Sequence, residues 1–262
     1  MKFFVLSLLV FFAQAVCAEV IPVEPIEKHL LGSSAPSMTM YFQGKDSKAV
    51  LIFIPGGEGY IGLKEGQADA KHPVFQLLKR LSNPQVTSGK FDIVLLDSPY
   101  RLSPGQRFPV DRENTDHLVR IESAMRYYMK KTGLPIWLMG HSNGGISLTA
   151  FVKYAQKTKK AELISGIIAA DIRNESHFDP PISFPMLFLH HKQDGCSYTL
   201  DSASYANYMK VKGFNTSLTE FVYVTGGEAQ QGDPCHSGYH MYNGAGEEVA
   251  KDIDEFMSKF YK

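Results

Sequence analysis

Leu134-Pro-Ile-Trp-Leu-Met-Gly-His-Ser-Asn-Gly-Gly-Ile-Ser-Leu148 reads as a short apolar strand, a sharp turn and a helix. Pro135 to Met139 has strand length and is apolar. From Ile146, apolar residues recur at Leu148, Ala150, Phe151, Val152, Tyr154 and Ala155, and the run closes on Lys157, Lys159 and Lys160. Cations suit a helix C-terminus, where unpaired carbonyls gather negative charge. At the turn stands Gly140-His141-Ser142-Asn143-Gly144, a Gly-x-Ser-x-Gly pattern. A strand that turns abruptly into a helix holds its central serine in constrained backbone geometry. A Cβ on either flanking position would collide with the neighbouring strand or helix, so both are glycine. The serine hydroxyl then stands clear above the sheet, at the positive end of the helix.

Outward from this unit, strands and helices alternate. Ala49 to Ile54 and Phe91 to Leu96 are continuous apolar runs, the mark of strands covered on both faces. Leu163 to Ala170, Pro185 to His190 and Ser217 to Val224 read as further strands, and Met38 to Gln43 as an edge strand. Helices are expected over His72 to Leu81, from Thr115 as cap to Lys131, over Tyr198 to Lys212 and over Glu247 to Phe260. Glu19 to Ser37, with Pro22, Pro25 and Pro36, reads as an irregular arm, and 98–114 as a polar loop. The alternation predicts a mostly parallel sheet with helices on both faces.

Of the 262 residues, 44% are hydrophobic and 21% charged, and the formal net charge is zero. One α/β domain fits that size, and the neutral balance gives no reason to expect nucleic acid as partner. The first 18 residues read as an export signal. Lys2 is followed by an apolar run to Phe12, and Val16-Cys17-Ala18 offers small residues for cleavage. That apolar run is too short to span a bilayer. The expected mature chain is 19–262, secreted or periplasmic, with no stable membrane insertion. A lipid on Cys17 is the lesser alternative. Export leaves Cys196 and Cys235 in an oxidising compartment, where two cysteines read as one disulfide.

A serine nucleophile needs a base in hydrogen-bond reach and a carboxylate to orient that base. Asp194 follows the strand after the serine unit, whereas Asp171 ends the preceding strand and Asp97 precedes the serine. Two histidines lie further on, His236 beside Cys235 and His240 before the last helix. His190, His191 and His236 read as surface or packing residues. Pro55-Gly-Gly-Glu-Gly-Tyr60 closes the first buried strand, and its glycines let backbone N–H groups face a ligand.

In these motifs the chain resembles the secreted bacterial α/β-hydrolases of the serine esterase type. The matching stretches are Pro135 to Gly144, His190-His-Lys-Gln-Asp-Gly-Cys196, Gly226-Gly227, Asp233-Pro-Cys235 and His240 ahead of Gly244-Ala-Gly-Glu-Glu248. The likeness covers roughly residue 48 to the end. Relatives of this type often carry Thr-Ser-Arg-Gly where this chain has His141-Ser142-Asn143-Gly144.

The resemblance implies an α/β-hydrolase fold with Ser142 as nucleophile, Asp194 as acid and His240 as base. It also implies an oxyanion hole from the N–H of Asn143 and that of Gly57 or Glu58. Between Ala170 and Pro185 there is room only for a loop, so little or no lid is expected. The expected activity is hydrolysis of a small-molecule carboxylic ester, without a cofactor. Two other readings stand beside it: a non-catalytic binding protein on the same fold, and a zinc site at Cys196, Cys235, His236 and His240.

Overall fold

The computed structural model describes residues 18–28, 35–63, 73–97, 112–229 and 231–261. The expected export signal (except Ala18) and most of the polar loop before Asn114 lie outside the described residues.

Eight strands form one sheet: β1 (Ala18–Val23), β2 (Ser37–Phe42), β3 (Ala49–Ile54), β4 (Phe91–Asp97), β5 (Ile136–His141), β6 (Gly166–Ala170), β7 (Met186–His191) and β8 (Thr219–Val224). Their spatial order is β1-β2-β4-β3-β5-β6-β7-β8. β1 and β2 pair antiparallel, as do β2 and β4. The pairs from β4 through β3, β5, β6 and β7 to β8 are all parallel.

The helices are α1 (Pro73–Leu81), α2 (Thr115–Thr132), α3 (Gly144–Lys157), α4 (Asp201–Lys212) and α5 (Gly246–Ser258). They divide between the two faces, and β3 shows why its sequence is apolar throughout. Val50, Ile52 and Ile54 belong to the same core layer as Ile121 and Met125 of α2, Leu148 and Phe151 of α3, and Val211 of α4. Leu51 and Phe53 point the other way, to Leu78 of α1 and to Val249 and Ile253 of α5. Successive strand side chains alternate faces, so a sheet covered on both sides needs apolar residues at every position.

Two details differ from the sequence reading. The supposed irregular arm contributes β1, an edge strand paired along its length with β2. Pro22 is tolerated there because an edge strand has one side on which no ladder donor is needed. The α2 cap is Asn114 rather than Thr115: the Asn114 side chain accepts from the N–H of Asp116. The 171–185 connection carries no helix, and its Ile172, Phe178, Ile182 and Phe184 are buried against the core. No described helix is long and apolar enough to cross a membrane.

Candidate active site

β5 ends at His141, and α3 begins at Gly144. Ser142 between them takes a positive φ of 54°, a costly conformation for a residue with a Cβ. Its backbone is tied on both sides. The N–H donates to the Ala170 carbonyl at 3.1 Å, and the carbonyl accepts from the N–H of Gly145 at 2.9 Å. The expected glycine constraint is present. A Cβ on Gly140 would lie 2.5 Å from the Gly144 carbonyl oxygen, and one on Gly144 would overlap the Ile54 carbonyl of the neighbouring strand. Ser142 faces a pocket of about 370 Å³ lined by Gly57, Glu58, Asn143, Arg173, Tyr198 and the two half-cystines, with Asp233 and His236 at its exposed side.

The loop after β3 is held from beneath. Arg112, fully buried, donates from Nη2 to the carbonyls of Pro55, Gly56 and Gly57 at 2.9, 3.1 and 3.0 Å, and from Nη1 to the Ser147 hydroxyl at 3.0 Å. Burial, helped by the charge of Arg173, pulls its guanidinium down to about 9, so it stays charged at neutral pH. The Asn143 side-chain amide donates to the same Gly57 carbonyl at 2.8 Å. With the carbonyls engaged, the N–H groups are what the loop can offer a ligand. Among the described residues no hydrogen bond occupies the N–H of Gly57, Glu58 or Asn143.

Asp194 lies three residues beyond β7. Its Oδ1 accepts from the N–H of Cys196 at 2.9 Å. Its Oδ2 accepts from the Thr199 hydroxyl at 2.7 Å and lies 2.8 Å from Nδ1 of His240. His240 sits in a single 3₁₀ turn, Gly238–Met241, and is 1% exposed. Burial alone would lower its affinity for a proton. The bond to Asp194 and the charges of Asp171, Asp194 and Asp233 outweigh burial and raise the imidazole above its ordinary value. Burial likewise pushes Asp194 up, and the His240 contact, the Cys196 N–H and the Thr199 hydroxyl more than offset it, so its carboxyl falls below the usual range. With Nδ1–H directed at a carboxylate, Nε2 is the nitrogen left to exchange a proton.

Asp171 and His190 lie close beside Asp194, with His190 Nε2 4.0 Å from its Oδ2, but each has partners of its own. Asp171 is buried, accepts from the N–H of His191 at 2.8 Å and lies 3.4 Å from Nδ1 of His190. Asp97 accepts from the N–H groups of Ile61 and Leu63 at 2.6 and 2.7 Å, bracing the loop after β3. His190 contacts the Ser204 hydroxyl, and His191 contacts the Gly226 carbonyl and stacks on Tyr239. His236 is exposed and pairs with Asp233 at 2.9 Å.

Cys196 and Cys235 form a disulfide, with Cα atoms 4.6 Å apart. Both sulfurs are thereby spent on each other, which removes two of the four ligands from the zinc reading. Among the described residues, the side chains close enough to share an ion are instead Asp171, His190 and Asp194.

Of the residues named from sequence, the structure brings Asp194 and His240 within 2.8 Å of each other and sets Ser142 on the pocket lining. Sequence reasoning missed Arg112 and Thr199. Neither carries a pattern, since one falls in the stretch read from sequence as a polar loop and the other reads as part of a helix.

No protein-family model matches the chain, and neither does any curated protein. Solved structures do. An α/β serine hydrolase without lid from Xanthomonas campestris superposes with a TM-score of 0.60 at 9% identity, covering 93% of this chain and 95% of that one. A dienelactone hydrolase from Anabaena variabilis gives 0.60 at 12%, covering 94% and 99%. A thermophilic esterase from Thermogutta terrifontis gives 0.59 at 12%, covering 93% and 100%. At such identities the likeness is one of fold, and with the sheet order it establishes the α/β-hydrolase fold.

Proposed function

We propose that this hydrolase-fold protein is an exported serine hydrolase that cleaves small carboxylic esters through Ser142, His240 and Asp194. The contact between His240 Nδ1 and Asp194 Oδ2, 2.8 Å long with both side chains buried, carries the reading, and His240 packs against His141, the residue before Ser142. In this mechanism Nε2 of His240 takes the Ser142 proton as Oγ attacks the acyl carbonyl. Asp194 holds the ring in the Nδ1–H tautomer and stabilises the imidazolium. The carbonyl oxygen gains negative charge and is met by the N–H of Asn143 and that of Gly57 or Glu58, near the positive end of α3. The proton then passes to the leaving alcohol, and water releases the acyl group by the same steps in reverse order of roles.

The ester class is supported by the neighbours described as esterases. Easy access for small substrates is supported by the helix-free connection between β6 and β7. Export is supported by the apolar leader and by the disulfide. The test is labelling of purified protein by a fluorophosphonate, with a panel of esters of increasing chain length. Wild-type protein should label and hydrolyse, and Ser142→Ala should do neither while keeping its unfolding midpoint. Ester hydrolysis by Ser142→Ala at the wild-type rate would remove the mechanism.

A further inference from the structure

His141 fills the variable position before Ser142, and the mechanism gives it no task. The side chain is 4% exposed and reaches from the end of β5 to the loop that carries the base. Its Nε2 lies 2.8 Å from the backbone carbonyl of His240, and the two imidazole rings pack with centroids 4.7 Å apart. On its other side is the loop after β3. A Cβ on Gly56 would come within 2.9 Å of the Ser142 Cβ and 3.4 Å of Nδ1 of His141. The ring is thus wedged where the serine strand, the oxyanion loop and the histidine loop meet.

The hydrogen bond has a defined direction. Burial, with the charge of His240 adding to it, pushes the His141 imidazole down to about 3, so the ring is neutral. A neutral imidazole has one N–H, and a carbonyl can only accept, so the proton sits on Nε2.

We propose that His141 is a positioning residue that fixes the base relative to the nucleophile by donating its Nε2–H to the main chain of His240. His240 is then held at two points. Its ring is tied to Asp194, and its backbone is tied to the residue adjoining Ser142. The second tie sets the height of the ring above the serine, because one residue belongs to both sides of the reaction. A 3₁₀ turn in a long loop has little other regular structure to set that height.

The inference rests on the triad reading. The test compares His141→Gln, whose amide nitrogen has the reach of Nε2, with His141→Asn, which is polar but one methylene too short. Misplacement of a reacting group by about 1 Å costs on the order of 100-fold, so His141→Asn should lose about that much in kcat with KM within about 3-fold of wild type. His141→Gln should stay within about 5-fold on both, since the donor is kept. Fluorophosphonate labelling, which needs the activated serine and little substrate binding, should follow kcat.

Should His141→Asn not fold, His141→Met fills the volume without a donor and carries the same expectation. Wild-type kcat in the donor-less variant overturns the proposal, as does an equal loss in His141→Gln. Ser142→Ala separates the two ideas. If it is fully active, the triad and this inference fall together. If it is inactive while the donor-less variant keeps wild-type kcat, this inference falls alone.

Discussion

The turn that carries Ser142 is held by backbone packing, whereas the loops that carry Asp194 and His240 are held by side chains. At the turn, Gly140 and Gly144 leave no room for a Cβ, and both backbone groups of Ser142 are bonded to neighbouring main chain. Across the pocket, Asp194 is fixed by a hydroxyl, an imidazole and one local N–H, and the two loops are joined by a disulfide. The residue types that these backbone constraints demand fall within five residues of sequence, Gly140 to Gly144. Side-chain constraints link residues 46 positions apart, as Asp194 and His240 are. Substitution in the second region should therefore damage chemistry before folding, and substitution in the first should damage folding itself.

The largest effect is expected at the base. His240→Ala should lower kcat/KM by about 10⁴-fold or more, as loss of a triad member does. His236→Ala, which removes only an exposed partner of Asp233 at the pocket's open side, should stay within about 3-fold. Both variants should unfold near the wild-type midpoint. Equal losses in the two would break the assignment of the second region. A folded but inactive His240→Ala would sharpen it.

The same contrast explains what could be read in advance. The turn was legible because its steric demand fixes residue types at fixed spacing. β3 was legible because burial on both faces leaves no polar position. Asp194 followed from its place beyond a strand, and the bridge from two cysteines in a chain whose leader reads as an export signal. Arg112 was not legible, since what it binds are three carbonyls some 55 residues away, and no sequence spacing records that. Thr199 and His141 act through side-chain contacts made by tertiary packing, the Thr199 hydroxyl to Asp194 and His141 to the His240 carbonyl. β1 was hidden by Pro22 and the prolines that follow it, and a proline argues against a central strand but not an edge.

Next in size is the bridge. It closes a loop of 39 residues, for which loop-closure entropy gives a stabilisation of about 4 kcal/mol. One half-cystine lies two residues after Asp194 and the other five before His240. Under mild reductant, the ester hydrolysis rate should fall before the far-ultraviolet circular dichroism changes, because acid and base drift apart while the sheet persists. Loss of activity that coincides with unfolding would show that these loops are no softer than the turn.

At the turn the order should reverse. Gly144→Ala places a methyl on the Ile54 carbonyl, and forced overpacking of this kind costs about 3 kcal/mol. The denaturant midpoint should drop. The variant that remains folded in buffer should lose activity only in proportion to the distortion of Ser142. An unchanged midpoint would mean the turn can shift, and the distinction between the two regions would disappear.

The smallest effect is one of pH, and it concerns the second region alone. His240 has its proton affinity raised in the folded state, against its burial, by Asp194, Asp171 and Asp233. A raised histidine contributes stability that is fully present below its unfolded value, about 6.5, and lost as pH rises through the folded value. Asp194 is lowered, so its contribution is present above its unfolded value, about 3.9, and lost as pH falls through the folded one. The pair therefore stabilises most between those two unfolded values, where both groups are charged. A general base must be neutral, so catalysis is weak in that same window. The acidic limb of kcat/KM should thus lie above 6.5, the ordinary histidine value. Wild-type protein should gain most stability over Asp194→Asn near pH 5. In Asp194→Asn the residual activity should have its acidic limb moved downward. An acidic limb below the ordinary histidine value in the wild type would mean that burial, not Asp194, governs the ring, and that side-chain ties do not set the chemistry of this region.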